Sequence, residues 1–491
     1  MTAIILLMPL VLSILVFAIQ KPALGSWCNA AYAGILLAAS VFLYMTPDSF
    51  TAYFRIDDVN ILFLLILAVL YMGVSLYNTE YIRQKYEKEK KEIEEKRERT
   101  KEEITKELQI LKTHYALYAV HLLLFVASMI AVILSTHLGM LWVFVEATTL
   151  SSAYLIYFNR TNAALEAAWK YIFICSVGIA LAFVGIIFLS MGLEHSDSLF
   201  FDDLYENAKY INPFWLKLAM SFIMIGFGTK VGFAPVHAWL PDAHSESPSP
   251  VSALLSGTLL NAALLGVIRV SILLKLAGLG WYVSQLLVLM GFLSLFVSAV
   301  FIFRIENYKR MLAYSSIENM GIIAIGLGIG GPGIFAAMLH LTAHSLIKAS
   351  LFLTSGSIEH CCRSKKISEV KGLLHRDKIT GWLWLLSFVA IAGIPPFPLF
   401  FSEFFIARTL FANGSIVYAV IFFLLLTIIL AAMGKSVLGM CFGENRPIEK
   451  QAAPSEIVTW LPQAVFLVLL FIMGILPDGL CRILQNAAAR L

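Results

Sequence analysis

Apolar runs long enough to cross a bilayer recur along the whole chain. Ile4 to Ile19 and the Phe, Leu and Ile run from Ile421 to Ile429 have no polar face to offer water. A bilayer core about 30 Å thick takes about 20 residues of helix at roughly 1.5 Å each. About fourteen segments meet that length, centred near residues 11, 37, 68, 126, 147, 180, 228, 262, 292, 321, 345, 394, 427 and 469. The alternation of a membrane barrel is absent, so the runs read as helices of an all-α polytopic bundle. Composition agrees: the 491 residues are 59% hydrophobic and 14% charged, against about 25% charged in soluble domains. The net charge of +4 is small, and most Lys and Arg sit in loops or beside Glu, which excludes a nucleic-acid binder. Six cysteines, without regular spacing except Cys361-Cys362, make neither a disulfide framework nor a zinc signature. The first run lacks a small-residue cleavage site and reads as a retained helix rather than a signal peptide.

Loop charges set an expected topology. Loops after odd-numbered spans hold most of the Lys and Arg: the 80–113 stretch, Arg160, Arg304 with Lys309 and Arg310, Arg363 to Lys378, then Arg446 and Lys450. Loops after even-numbered spans have few, chiefly Arg55, Lys209 and Arg408. The positive-inside rule puts the odd loops in the cytoplasm and both termini outside an inner (cytoplasmic) membrane. The loop after span 7, Asp242 to Pro250, is an exception, being acidic with no Lys or Arg. Residues 80–113 are charged at nearly every position, with both signs three and four apart, and read as a solvated helix or as a docking arm for a partner subunit.

Two spans are interrupted by proline: span 7 in GTKVGFAPVHAWLPDAH, with Pro235 and Pro241, and span 12 in AGIPPFPLFFSE, with Pro395, Pro396 and Pro398. They lie five spans apart. An odd offset turns the second copy upside down, so the pattern predicts two inverted five-helix repeats, each with one discontinuous helix. The expected division is an N-terminal three-helix segment (1–79), the charged insert (80–113), a first repeat (114–278), an inverted second repeat (279–442) and a last helix (443–491). Broken helices expose backbone groups that need water or polar partners, so they line hydrated cavities.

Charges at membrane depth cost at least a few kcal/mol and need a reason. Glu146 lies mid-span in LWVFVEATTL, and Lys230 just before the first break. His340, His344 and Lys348 are spaced i, i+4, i+8 and so share one helix face. Glu403 follows the second break, and Asn261 is polar, neutral and deep in span 8. A buried lysine that meets and leaves a carboxylate can switch between holding and releasing a proton, and histidine bridges the gap. These residues suit proton relay. A static Glu146–Lys230 ion pair, or a His340 that only hydrogen-bonds backbone, is the structural alternative. His237, Asp242, His244 and Glu246 carry metal-ligating groups but straddle two prolines without paired spacing. A catalytic triad, P-loop, dinucleotide fingerprint, haem CxxCH and Fe–S cysteine run are absent. No cofactor and no redox centre is expected in this chain.

The segments KVGFAPVHAWLPDAHSESPSPVSALLSG, YKRMLAYSSIENMG, HSLIKASLFLTSGSIEH and AGIPPFPLFFSEFF resemble the antiporter-like subunits of respiratory complex I. These subunits are shared with Mrp-type cation/proton antiporters and membrane-bound energy-converting hydrogenases. The resemblance runs from about 115 to 440, and HAWLPDAH, PSPVSALLSG and AYSSIENMGII together look most like hydrogenase-4 component F, of the group 4 hydrogenase and formate hydrogenlyase type. It implies a subunit moving protons, with sodium exchange as the variant, inside a redox-driven complex. Partners would be other membrane subunits and peripheral hydrogenase subunits holding Fe–S clusters and a NiFe centre. It implies a hydrophilic axis of Glu146, Lys230, Lys348 with His344, and Glu403; His340 joins it as a candidate from its helix face, with Asn261 and His237 as auxiliary polar groups. The chain departs from the pattern at Asn261, where many members carry Lys or His, and in the length of the 80–113 insert. A complex I or Mrp-type subunit is the sibling alternative; a structural membrane anchor that has lost transport and a stand-alone transporter of an organic solute are the rival readings.

Overall fold

The computed structural model describes residues 1–47, 49–95, 100–193, 197–443 and 456–491; the loop charges Arg446 and Lys450 lie outside them. The chain opens with α1 (Thr2–Ile19) and α2 (Pro22–Met45), then a short antiparallel pair, β1 (Ser49–Thr51) and β2 (Phe54–Arg55). Next come α3 (Asn60–Glu94), α4 (Lys101–Leu134), α5 (Leu138–Ile156), α6 (Asn162–Met191) and the short α7 (Phe201–Glu206). The first broken crossing is α8 (Pro213–Val231) with α9 (Leu240–Glu246). The following crossing is α10 (Ser249–Leu254), a π turn at Leu255–Leu259, and α11 (Leu260–Leu276). Then follow α12 (Gly280–Phe301), α13 (Tyr308–Ile329), α14 (Pro332–Cys362) and the short α15 (Leu373–Arg376). The second broken crossing is α16 (Lys378–Ile391) with α17 (Pro398–Ala412), before α18 (Ile416–Phe442), α19 (Ile457–Gly474) and the terminal α20 (Asp478–Ala489). Among the described residues, thirteen helices are long and apolar enough to cross a membrane, and the α16–α17 pair supplies the further crossing near residue 394.

Polar residues in these helices follow burial. The crossing Ser249–Leu276 is enclosed along its whole apolar stretch, and α13 and α14 almost as fully. The α6, α12 and α18 helices turn most of their apolar surface outward, where lipid meets residues such as Trp169, Phe173 and Val420. A charge on those outer helices would face hydrocarbon, so the ionisable residues concentrate on the enclosed ones.

The loops segregate by charge as the odd–even pattern requires. On one end, Lys85 donates to Asn159, Asn159 Nδ2 donates to the Glu246 carbonyl at 2.8 Å, and Lys309 pairs with Glu359 at 2.8 Å. On the other, Arg55 pairs with Asp202 at 2.8 Å, Arg269 with Asp57, and Arg490 with Asp58 at 2.9 Å. The acidic loop after span 7 is accounted for here. Asp242 pairs with Lys170 at 3.1 Å and with Arg310, and Glu246 with Lys365 at 3.6 Å. It is the counter-charge of the basic loops around it.

The 80–113 stretch is not one helix. Its first part continues α3 without interruption and its second part begins α4. A fresh helix starts at Lys101 because Thr100 Oγ1 accepts from the Glu103 N–H while the Glu103 carboxylate accepts from the Thr100 N–H at 2.9 Å. That reciprocal cap satisfies two otherwise orphaned donors.

Candidate ion-translocation site

Lys230 is the last basic residue of α8, one position before its final residue Val231, and is fully buried. The partial negative charge of a helix C-terminus favours a cation there. Its Nζ donates to Thr149 Oγ1 at 2.8 Å and to the Tyr171 hydroxyl at 2.6 Å, and lies 4.5 Å from the Tyr171 ring centroid. The Tyr171 hydroxyl is in turn 2.6 Å from Ser152 Oγ. Glu146, half-buried on α5, accepts from Ser176 Oγ at 2.8 Å and from Thr149 Oγ1 at 3.3 Å. Glu146 and Lys230 therefore do not form a direct ion pair. One threonine hydroxyl accepts from the lysine and donates to the carboxylate, which its single proton and two lone pairs allow.

The break after Lys230 is held by Trp239, whose Nε1 donates to the Thr229 carbonyl at 2.8 Å and whose ring lies 5.0 Å from Tyr171. His237, inside the break, is half-buried, with Nδ1 unpartnered and its ring 6.3 Å from Tyr314. Among the described residues no hydrogen bond joins it to Lys230 or to any other candidate residue. The four residues with metal-ligating groups go separate ways: Asp242 and Glu246 to the cations named above, His244 against Phe352 at 4.8 Å between ring centroids. Among the described residues no group of three or more His, Cys, Asp and Glu is placed to hold a metal ion.

Asn261 follows the π turn. Its Nδ2 donates to the Gly257 carbonyl at 2.8 Å and to Ser345 Oγ at 2.7 Å, tying this crossing to α14. Gly257 permits the approach, since a Cβ there would sit 3.1 Å from the Ser345 carbonyl oxygen and 2.6 Å from Leu70. Among the described residues, Asn261 Oδ1 and both ring nitrogens of the neighbouring His344 have no partner. Buried polar groups in native proteins are met by protein or by ordered water, so these three atoms mark a position that takes water.

Along α14, Lys348 Nζ donates to the Leu312 carbonyl at 2.7 Å. One turn on, His344 is enclosed and unpartnered. His340 lies between α13 and α17, with Nε2 3.0 Å from Asn319 Oδ1 and Nδ1 2.9 Å from Ser402 Oγ. The expected spacing on one face of α14 thus brings the three residues into line, and Ser402, which meets His340, immediately precedes Glu403 on α17. Gly393, in the second break, adopts φ +62°, and a Cβ there would lie 2.5 Å from Glu403 Oε2. Only glycine lets the chain reverse against that carboxylate.

A further acid belongs here. Glu318 is buried in the middle of α13 and shares with Glu403 the wall of a cavity of about 260 Å³, together with Phe388, Phe400, Phe404 and Leu430. It lies near both Lys348 and Glu403. The signal was present, since Glu318 is a lone acid inside a membrane-length run, the same argument that singles out Glu146. Thr149 and Tyr171 carried no such signal, because hydroxyls are common in these helices and only packing selects these two.

Every polar group from Lys230 to His340 is enclosed, while Glu146 and Glu403 at the two ends are half-buried. A line of this kind can hold and pass protons.

The chain is similar in sequence and in fold to known proteins. Residues 135–429 match the family described as NADH:quinone oxidoreductase/Mrp antiporter, TM. The chain is 33% identical over 450 residues to a hydrogenase-4 component F homolog of Methylacidiphilum infernorum, covering 90% of each. It is 31% identical over 398 residues to Na(+)/H(+) antiporter subunit A1 of Staphylococcus haemolyticus, spanning 75% of this chain but only 49% of that subunit. In fold it matches a chain of the membrane-bound sulfane sulfur reductase, an archaeal respiratory membrane complex, with a TM-score of 0.83 at 22% identity over 100% of this chain and 97% of that one. It also matches a chain of the Mrp complex from Dietzia sp. DQ12-45-1b, with a TM-score of 0.84 at 18% identity and the same coverage. The relatives are subunits of multisubunit membrane complexes, and this chain is a multi-pass, antiporter-like member of the NADH:quinone oxidoreductase/Mrp antiporter family.

Proposed function

We propose that the chain conducts protons along the line Glu146–Thr149–Lys230, through Asn261 and water, to His344, Lys348, His340, Glu318 and Glu403. It would do so as one subunit of a redox-driven complex of the group 4 hydrogenase or formate hydrogenlyase type. The observation that carries this reading is the unbroken enclosure of ionisable and hydroxyl side chains between two half-buried carboxylates. The proton, rather than sodium, suits the middle of the line. Hard cations are held by oxygen ligands, whereas Lys230 and Lys348 present ammonium groups that repel them. Similarity over 90% of the length of a hydrogenase-4 component F homolog supports the hydrogenase assignment over an Mrp antiporter. Partner subunits would supply the Fe–S clusters and NiFe centre, and the membrane would be the cytoplasmic one with both termini outside. The two inverted five-helix repeats would place Glu146 opposite Glu318 and Lys230 opposite Glu403.

The test is proton pumping in inverted vesicles carrying the intact complex, followed with a pH-sensitive dye while redox turnover is recorded. Lys230→Ala and Glu146→Gln should lower pumping per turnover at least about tenfold in an assembled complex. Unchanged pumping and turnover in both would make the subunit a scaffold.

A further inference from the structure

The line described so far names no route from Lys348 to the end of the bundle where the odd loops lie. One buried group outside it bears on that question. His244, on α9, is fully enclosed, stacks on Phe352 with ring planes 16° apart, and among the described residues has no partner for either ring nitrogen. The charged groups that face it are Lys348 and Lys309. The register of two helices puts it between them. Phe352 is one turn beyond Lys348 on α14, and Lys309 is one turn before Leu312, whose carbonyl accepts from Lys348.

From Lys309 the polar groups continue outward. Lys309 is buried, but its Nζ is 2.8 Å from Glu359, which is about a third exposed. The same Nζ donates to the Ser247 carbonyl at 3.5 Å, Ser247 Oγ lies 2.7 Å from Ser252 Oγ, and Ser252 Oγ donates to the His244 carbonyl at 3.1 Å. This end carries the loops that follow odd-numbered crossings. A buried polar atom left without a partner is costly, and both nitrogens of this imidazole are in that position among the described residues.

We propose that His244 is the proton relay between Lys348 and the membrane face formed by Glu359 and the odd loops. The proposal rests on the proton line set out above. One imidazole nitrogen takes a proton arriving past the Lys309–Glu359 pair, the other releases one to the free amine of Lys348, and a ring flip restores the starting tautomer. Both transfers pass through water, since among the described residues the ring makes no direct hydrogen bond.

The experiment uses the intact complex in inverted vesicles, with pumping per redox turnover as the readout. His244→Phe keeps an aromatic ring on Phe352 and removes both nitrogens; His244→Gly opens space for free imidazole; Lys230→Ala reports on the line itself. His244→Phe should lower pumping at least about tenfold, and millimolar imidazole should restore pumping in His244→Gly. Normal pumping in His244→Phe with loss in Lys230→Ala would overturn the relay and leave the line standing. Normal pumping in both would overturn the line as well. Loss in His244→Gly that imidazole does not reverse would make His244 a packing residue and overturn the relay. Should His244→Phe fail to assemble, His244→Asn takes its place, and an assembled Asn variant pumping at the wild-type rate has the same overturning force.

Discussion

Thr149→Val is the sharpest test of how Glu146 and Lys230 communicate. Valine matches threonine in shape, so the packing of α5 against α8 stays, while the hydroxyl between carboxylate and amine is gone. The lysine then keeps one acceptor, the Tyr171 hydroxyl at 2.6 Å. A hydrogen bond to a charged group contributes about 1.5–3 kcal/mol net, so the charged form of Lys230 should lose roughly ten- to a hundredfold in occupancy. Pumping per redox turnover should fall by about the lower of those factors, with assembly intact on a native gel. Thr149→Ser retains the hydroxyl and should pump near the wild-type rate. The reasoning fails if Thr149→Val pumps normally. It fails equally if Ser and Val variants are impaired alike, because the loss would then belong to the methyl group rather than to the hydroxyl.

Two other substitutions probe the second half of the line. Glu318→Gln preserves size and removes the acid that lies near Lys348 and Glu403, and should reduce dye-detected pumping about tenfold without loss of complex; wild-type pumping would remove Glu318 from the path. Gly393→Ala forces a side chain into φ +62° and against the Glu403 carboxylate, and should destabilise the purified complex by about 1–2 kcal/mol, read as a lower melting temperature together with reduced pumping; an unchanged melting curve would refute the crowding argument.

Much of the architecture was legible because the bilayer imposes length and apolarity on each crossing. The α16–α17 crossing near residue 394 is too interrupted to qualify by length, yet its prolines marked it as broken. The gathering of the odd loops at one end was legible too, and the acidic span 7 loop became an exception only when read without the Lys170, Arg310 and Lys365 that face it. Other features were hidden for physical reasons. The crossing that holds Asn261 is buried all round, so its sequence has no polar stripe from which to read helical phase, and the π turn left no trace. The line Glu146–Thr149–Lys230 depends on a hydroxyl chosen by packing. The restart of helix at α4 is readable: Thr100 with Glu103 three residues later is a helix-start signature, set inside a stretch whose uniform charge suggests one helix. His237 shares the break with the site residues, but a break turns neighbours in sequence towards different surroundings.

The π turn can be viewed as a matter of phase. An α-helix advances about 100° per residue, and a π turn accommodates one extra residue within an otherwise regular helix. Everything after Leu259 is thereby turned about 100° from where an uninterrupted α-helix continuing from Ser249 would have put it. Asn261 points at Ser345 because of that offset and not because of the asparagine itself. Deleting one residue from Leu255–Leu259 would keep the composition of this crossing almost unchanged while rotating its amide away from α14.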